Sequence, residues 1–420
     1  MPAPVRLPRW FTTYFALPLA LCVAAAAVLW ITGGWRSIPA FAVFVSGANP
    51  KAVSPPIGPL TVAPAPPAMP APATAALPSQ EAPKVDVVFV LDTTGSMSGL
   101  IEGAKRKVWS IASQIADGQP TPDLRVALIG YRDTTDEYVT KRFDFSPDLD
   151  AVFQNLSSLS ANGGGDTPEH VSRALSEAVY DLAWTQTGQA LKLIFLVGDA
   201  PAHTDYQDGY DYRKASADAT LKGITINTIR CGNADDTGRV FTEIASLAHG
   251  KFASIDSTGG MQFVATPYDA KLAELNARLA DSTIVYGAET ERSAARARIE
   301  SGGALAAPMA ASRASYLAKS KKLTEKDLIA DVESGDVALE AIPASDLPTE
   351  MQGLPPEQLK GKLAEAKMRQ DAIKREIAEV SKTRDGYIKE QQKEAPAGPG
   401  FDEEVLDMIR TQAADKGIKY

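Results

Sequence analysis

The sequence predicts an α/β protein, a doubly wound and mostly parallel six-stranded sheet with helices on both faces, and three observations carry that prediction. From residue 84 to about 257, short β-rich runs alternate with helical segments, the pattern of strands joined by crossover helices. The runs VDVVFVL, LKLIFLV and ITINTI are almost continuously apolar, as strands buried on both faces are. Between the first two strands, Ile101, Ala104, Val108, Ile111 and Ile115 recur at three and four residues and put one apolar stripe on a helix that packs on the sheet. The strands are expected at residues 85–91, 124–131, 138–145, 191–197, 224–230 and 251–255.

Ahead of this domain, residues 11–32 are almost entirely apolar and carry no formal charge. That length is close to the roughly 20 residues a helix needs to cross a bilayer, so a transmembrane helix is expected. A cleaved signal peptide is the alternative, but its apolar core is typically about 7 to 15 residues and no clear A-x-A site follows here. Lipoprotein processing at Cys22 is disfavoured by the bulky Leu21 and the apolar residues 23–30 that follow. Arg6 and Arg9 precede the span and Arg36 follows it, which places residues 1–10 in the cytoplasm and the rest outside it. The expected location is therefore the cell inner membrane, single-pass, with the α/β domain on the periplasmic or extracytoplasmic side.

Residues 33–83 read as a Pro/Ala-rich linker, with eleven prolines between 50 and 83. Such a composition buries no core and favours polyproline II, so it is read as a passive spacer rather than a proline-motif ligand. Extended at about 3.1 Å per residue, the stretch 50–83 alone holds the next domain on the order of 100 Å from the bilayer. Beyond residue 257 the β pattern stops and Ala, Glu, Lys and Arg dominate, so residues 258–393 are expected to be helical. Within them Leu359, Leu363, Ala366, Ile373, Ile377, Val380 and Tyr387 fall near heptad spacing, interrupted by Gln370 and Arg384. A coiled coil and a helix folded onto its own neighbours fit this pattern equally. Residues 394–420 read as a linker, EAPAGPG, and a last helix over about 402–414.

The chain's 420 residues, 45% of them hydrophobic and 23% charged, leave room for two or three domains. A net charge of −9 without a basic cluster argues against nucleic acid as a partner. Two cysteines, Cys22 and Cys231, provide neither a disulfide framework nor a thiolate metal site. The three histidines, His170, His203 and His249, are spread over different segments without H-x-x-x-H spacing, which argues against zinc. Gly163 to Gly165 do not follow a strand in a G-x-G-x-x-G arrangement, so nucleotide binding is rejected for them.

The candidate chemistry lies at the carboxyl ends of strands, where open α/β sheets bind ligands. Asp92, Thr94 and Ser96, in DTTGSM, follow directly on the first strand, and Asp199, in LVGDAP, closes another buried one. Thr167, in GGGDTPEH, lies in a glycine-rich loop that opens a helix, with Pro168 expected in its first turn and Asp166 as its N-cap rather than as an outer contact to the site. The glycines give that loop the freedom to approach the other two. Together these side chains offer two carboxylates and three hydroxyls, hard oxygen donors that suit Mg²⁺, Mn²⁺ or Ca²⁺ rather than Zn²⁺. The segment HTDYQDGYDY after Asp199 is read as a polar loop leading into a helix, with a rim of aromatics that touches a partner as the second reading.

DTTGSM, Thr167 and Asp199, in this order, resemble the metal-ion-dependent adhesion site of von Willebrand factor A domains, over about 170 residues. The resemblance implies a Rossmann-like A-domain fold at residues 84–257, with Thr94, Ser96 and Thr167 ligating the metal through hydroxyls and Asp92 and Asp199 acting mainly through bound water. The commonest form of the motif has Ser where this chain has Thr94, and the hydroxyl survives. It further implies a non-enzymatic protein whose partner donates an Asp or Glu carboxylate to the metal. Two alternatives stand beside it. A metal-dependent hydrolase lacks a nucleophile and base pair beside the site, and a partner subunit of a chaperone-like ATPase requires the domain to face ATP. The segments SYLAKSKKLTEKDLIADVESG and FDEEVLDMIRTQAADKGIKY are similar to the tails of bacterial A-domain proteins and imply no activity.

Overall fold

In a computed structural model, which describes residues 82–165, 167–187, 189–394 and 398–420, the six expected strands form one sheet. They are β1 Lys84–Asp92, β2 Asp123–Tyr131, β3 Thr140–Ser146, β4 Leu191–Gly198, β5 Thr225–Cys231 and β6 Phe252–Ile255. Their order in the sheet is β3-β2-β1-β4-β5-β6, parallel throughout except for β3, which runs antiparallel at the edge beside β2. Five helices join them: α1 Ser98–Ile115, α2 Leu149–Ser157, α3 Val171–Tyr180, α4 Tyr212–Leu221 and α5 Asp235–Leu247.

The continuous apolar runs are explained by burial on both sides. Alternate residues of β1 and β4 feed two cores: Val88, Val90, Ile194 and Leu196 pack with Leu175, Ala215 and Phe241 of α3, α4 and α5. Val87, Phe89, Leu193 and Phe195 face the other way, toward Ile101, Ile111 and Ile115 of α1 and Val152 of α2. The α1 stripe read from the sequence is the buried face of that helix.

Because α4 and α5 both cross on the first face, the second face of β4, β5 and β6 has no crossover helix of its own. The chain covers it from far away. After β6 come α6 Asp269–Asp281, α7 Glu289–Gly303, α8 Ala307–Lys319, α9 Leu328–Ser334 and α10 Pro356–Glu394, and then α11 Phe401–Ala413 returns to the sheet. Phe401 lies against Phe89 with ring centroids 6.0 Å apart, and Val405 and Ile409 are fully buried in the same core. The amides of Asn227 on β5 and Gln412 on α11 exchange two hydrogen bonds, at 2.9 and 2.8 Å. Phe401 N–H donates to the Gly259 carbonyl just past β6 at 2.9 Å, and Gln119 and Lys419 pair their backbones at the opposite end. The last helix is thus built into the sheet's own core.

Helix α10 follows the second of the two expected packings and lies along α6, α8 and α9 of its own chain. Leu359 and Leu363 join Leu328, Leu339 and Met351 in a small core, while Ile373 and Ile377 enter the main one. The residues that interrupt the heptad pattern are polar latches in this seam. Gln370 donates to the Ser282 carbonyl at 2.9 Å, and Arg384 donates to Asp269 at 2.7 Å.

One expectation is corrected. Helix α3 starts at Val171 with His170 as its N-cap, so Pro168 lies before the helix and not in its first turn. The backbone is still engaged elsewhere at that point, since Glu169 N–H donates to the Pro201 carbonyl at 2.9 Å and His203 N–H to the Glu169 carbonyl at 3.1 Å. Asp166, expected as the cap, lies outside the described residues, as do the 11–32 span, Cys22 and all but the last two residues of the Pro/Ala-rich linker. Among the described residues, no helix is long and apolar enough to cross a membrane.

Candidate metal centre

Strands β1 and β4 lie side by side, and the helix after β1 crosses on one face of the sheet while the helix after β4 crosses on the other. The loops leaving their carboxyl ends therefore diverge and leave a crevice between them, the place where open α/β sheets bind ligands. Asp92 ends β1 and Asp199 follows β4, so the topology sets the two carboxylates of the motif on either side of this crevice.

The DTTGSM loop is held by its own side chains. Asp92 Oδ1 accepts from the Thr94 backbone N–H at 2.8 Å and from its hydroxyl at 2.6 Å. The Thr94 and Ser96 hydroxyls lie 3.3 Å apart, so both oxygens turn toward one point. Asp92 Oδ2, by contrast, is buried without a hydrogen-bond partner. Burial pushes the Asp92 carboxyl from its ordinary value up to about 7; the Thr94 hydroxyl and amide counter that rise, and the charge of Asp199 adds to it. The Asp199 carbonyl is held by the Thr237 hydroxyl at 2.9 Å.

The third loop is pinned at both ends. Gly95 N–H donates to the Gly163 carbonyl at 3.2 Å and Asn162 N–H to the Thr93 carbonyl at 3.1 Å, and further along Glu169 is tied to the loop after Asp199. Gly163 and Gly164 have φ of +74° and +76°, and a Cβ on Gly164 would stand 2.9 Å from Thr94 Cβ. Glycine is required for this approach on both counts. Thr167 lies on the exposed stretch between the two pinned ends, with no hydrogen bond among the described residues to the other four side chains. The structure therefore gathers Asp92, Thr94, Ser96 and Asp199 and sets Thr167 on the loop that spans them.

This donor set fits a hard divalent cation. A buried carboxylate oxygen without a partner, a second carboxylate beside it and two convergent hydroxyls are what such an ion would satisfy, and the nearby Cys231 thiol is held neutral by burial and by the charges of Asp199 and Asp92, which disfavours a softer metal.

The sequence reading missed the residues that brace this site. Arg132, buried at the end of β2, donates from Nε to the Thr93 carbonyl at 3.0 Å and from Nη2 to the Ser160 carbonyl at 2.8 Å, clamping two of the loops together. Asp136 accepts from the Gly164 N–H at 3.1 Å. Both lie in YRDTTDEY directly after β2, the neighbour of β1, and the acidic residues at the carboxyl end of that strand were a usable signal for Asp136 but not for Arg132. His170 and His203 line the same face, His170 capping α3 and His203 stacked on Tyr206 with ring centroids 4.1 Å apart.

The fold and the site define an α/β domain whose topological switch point gathers hard oxygen donors of the kind a divalent cation takes. A sequence model of the von Willebrand factor A domain matches residues 86–266, and this segment of the chain is a von Willebrand factor A domain. The chain is 21% identical over 229 residues to a putative ariadne-like RING finger protein of Acanthamoeba polyphaga mimivirus, covering 50% of this chain and 22% of that protein. It is 27% identical over 131 residues to an alpha-protein kinase of Dictyostelium discoideum, covering 30% and 20%. The chain thus spans about a fifth of the length of the curated relatives it matches. Among solved structures, it is similar to the proximal thread matrix protein 1 from the mussel byssus with a zinc-occupied adhesion-site motif, at 15% identity, 42% of each chain and a TM-score of 0.32. An aerotolerance-related membrane protein of Bacteroides fragilis is similar at 16% identity, 41% of this chain, 92% of the other and a TM-score of 0.29.

Proposed function

We propose that this chain is a membrane-anchored binding protein whose A domain holds Mg²⁺, or Mn²⁺ or Ca²⁺ in its place, and captures a protein partner through a carboxylate that the partner supplies. One observation carries the reading: the Asp92 carboxylate is buried at the switch point with one oxygen lacking a hydrogen bond, beside Asp199 and the Thr94 and Ser96 hydroxyls. In this reading Thr94, Ser96 and Thr167 hold the ion through their hydroxyls, and Asp92 and Asp199 act through water. The bound ion supplies a positive, incompletely shielded centre for an incoming Asp or Glu. The chain's own residues do the rest: Arg132 clamps the loops, Gly163 and Gly164 bring the third loop close, and Asp92 orients Thr94. The apolar residues 11–32 are the anchor and residues 33–83 the spacer, which sets the A domain outside the cytoplasm and away from ATP.

Isothermal titration with Mg²⁺ tests the centre: Thr94→Ala and Thr167→Ala each lower the affinity at least about tenfold. Unchanged affinity in both variants refutes the assignment. Protease added to spheroplasts tests the topology, with release of the domain expected and full protection placing it in the cytoplasm.

A further inference from the structure

Two segments that the metal centre does not use, YRDTTDEY after β2 and HTDYQDGYDY after β4, meet beside it. Asp136 touches Gly164, the residue packed on Thr94, and also accepts from the Asp133 N–H at 3.3 Å. Asp133, only 3% exposed, accepts through Oδ2 from the Tyr206 hydroxyl at 2.7 Å. His203 stacks on the Tyr206 ring and contacts Asp205 at 2.8 Å, and His170 contacts Asp208 at 2.7 Å. The result is a ridge of Asp133, Asp136, Asp205 and Asp208 running outward from the metal centre over the Tyr206 ring.

The ridge's charge is compensated only in part from within, by the Arg173 guanidinium within electrostatic reach of Asp208. Among the described residues, no lysine or arginine pairs with any of these four carboxylates, and the only ion-pair partners within 4.0 Å are the two histidines. Arg173 lies over the Tyr210 ring nearby, but its Nε is bonded to Glu177. Elsewhere in the molecule buried aspartates are met by arginine, Asp150 by Arg313 and Asp269 by Arg384. A second observation points to a ligand. Asp133 Oδ1 is buried with no hydrogen bond, and His203 Nε2, 3.7 Å away, lacks a hydrogen bond too. Carboxylates around an aromatic ring are a receptor for an ammonium or guanidinium group, joining ion pairing to cation–π attraction.

We propose that this ridge receives a lysine or arginine side chain, so that the surface recognised on the partner is a carboxylate with a basic residue beside it. The proposal rests on the metal-dependent reading of the adjacent centre for the carboxylate half only. A partner with several acidic residues at the contact is rejected by the ridge, since like charges brought together at an interface are penalised.

Three short labelled peptides test it against the full chain: an aspartate flanked by lysines, an aspartate flanked by serines, and an asparagine flanked by lysines. With Mg²⁺ the first binds about tenfold tighter than the second, and the preference disappears in the Asp205→Asn/Asp208→Asn double variant while Mg²⁺ affinity stays unchanged. The asparagine peptide reads the ridge without the metal: its binding is weak, falls with added salt and is lost in the double variant. Equal affinity for the two aspartate peptides, or asparagine-peptide binding that survives the double variant, overturns the proposal. A response of the asparagine peptide as expected, with no peptide responding to Mg²⁺, upholds the ridge and sinks the metal reading instead.

Discussion

The two faces of the sheet are closed in opposite ways. One is covered by α3, α4 and α5, each lying between strands of the sheet in the chain. The other is covered by α1 and α2 and then by α11, which arrives after the whole of α6 to α10 has been laid down. The first face is assembled from local contacts and the second depends on a contact closed across a long stretch of chain. The segment 86–266, although it contains every strand and every candidate metal ligand, therefore lacks part of its own core.

Cutting the chain at residue 266 breaks the comparison most directly. Phe401, Val405, Leu406 and Ile409 leave the core, and at about 1.5–3 kcal/mol each the loss is about 6–12 kcal/mol, comparable to the roughly 5–15 kcal/mol that stabilises a domain. The fragment 82–266 should show no cooperative melting transition by circular dichroism, where 82–420 does. A fragment that melts cooperatively within a few degrees of the longer chain would show the second face to be self-sufficient.

A smaller effect tests how the inserted helices grip the sheet. Arg313 on α8 forms a two-pronged pair with Asp150 on α2, bonding it through Nε at 2.8 Å and Nη2 at 2.6 Å, with a third bond to Asn276. Arg313→Ala leaves the buried Asp150 carboxylate uncompensated and should cost about 3–5 kcal/mol in urea unfolding. A loss below about 1 kcal/mol would mean that the insertion is only loosely attached.

The metal centre tests the shared edge of the two faces. Mg²⁺ at a hundredfold excess over its dissociation constant should add about 2.7 kcal/mol to stability. Its effect depends on pH with a definite sign. The Asp92 carboxyl is raised from 3.8 to about 7, so the metal-free fold favours the neutral acid, and that contribution is present at low pH and lost as pH rises through about 7. The ion replaces what is lost, so the Mg²⁺-induced rise in Tm should be larger at pH 8 than at pH 5. The same rise at both would remove Asp92 from the centre.

The smallest effect concerns α10. Gln370→Ala leaves the Ser282 carbonyl without its donor and should cost about 1–3 kcal/mol, read from the urea midpoint. No change would show that the seam tolerates a gap at this position.

Much of the site was legible because its logic is local. DTTGSM carries its own geometry, since Asp92 and Thr94 bond each other two residues apart, and Gly163 and Gly164 announce a loop that must come close to something. Arg132 was not legible in the same way: an arginine after a strand reads as a solvated charge until the loops that carry Thr93 and Ser160 are seen on either side of it. Proline is favoured in the first turn of a helix, yet the pairing of Glu169 with the loop at 201–203 overrides that preference and leaves Pro168 ahead of α3.

By itself the sequence determined the six strands, the α1 stripe and the oxygen-rich motif, because apolar periodicity and loop chemistry act over a few residues. Only the tertiary structure decided that α11 closes the sheet, that Gln370 and Arg384 are latches rather than flaws in a heptad, and that two acidic loops form one ridge. Each of these is a meeting of segments far apart in the chain. What selects such a meeting is the area left uncovered when the local helices have packed, and no window of sequence contains it.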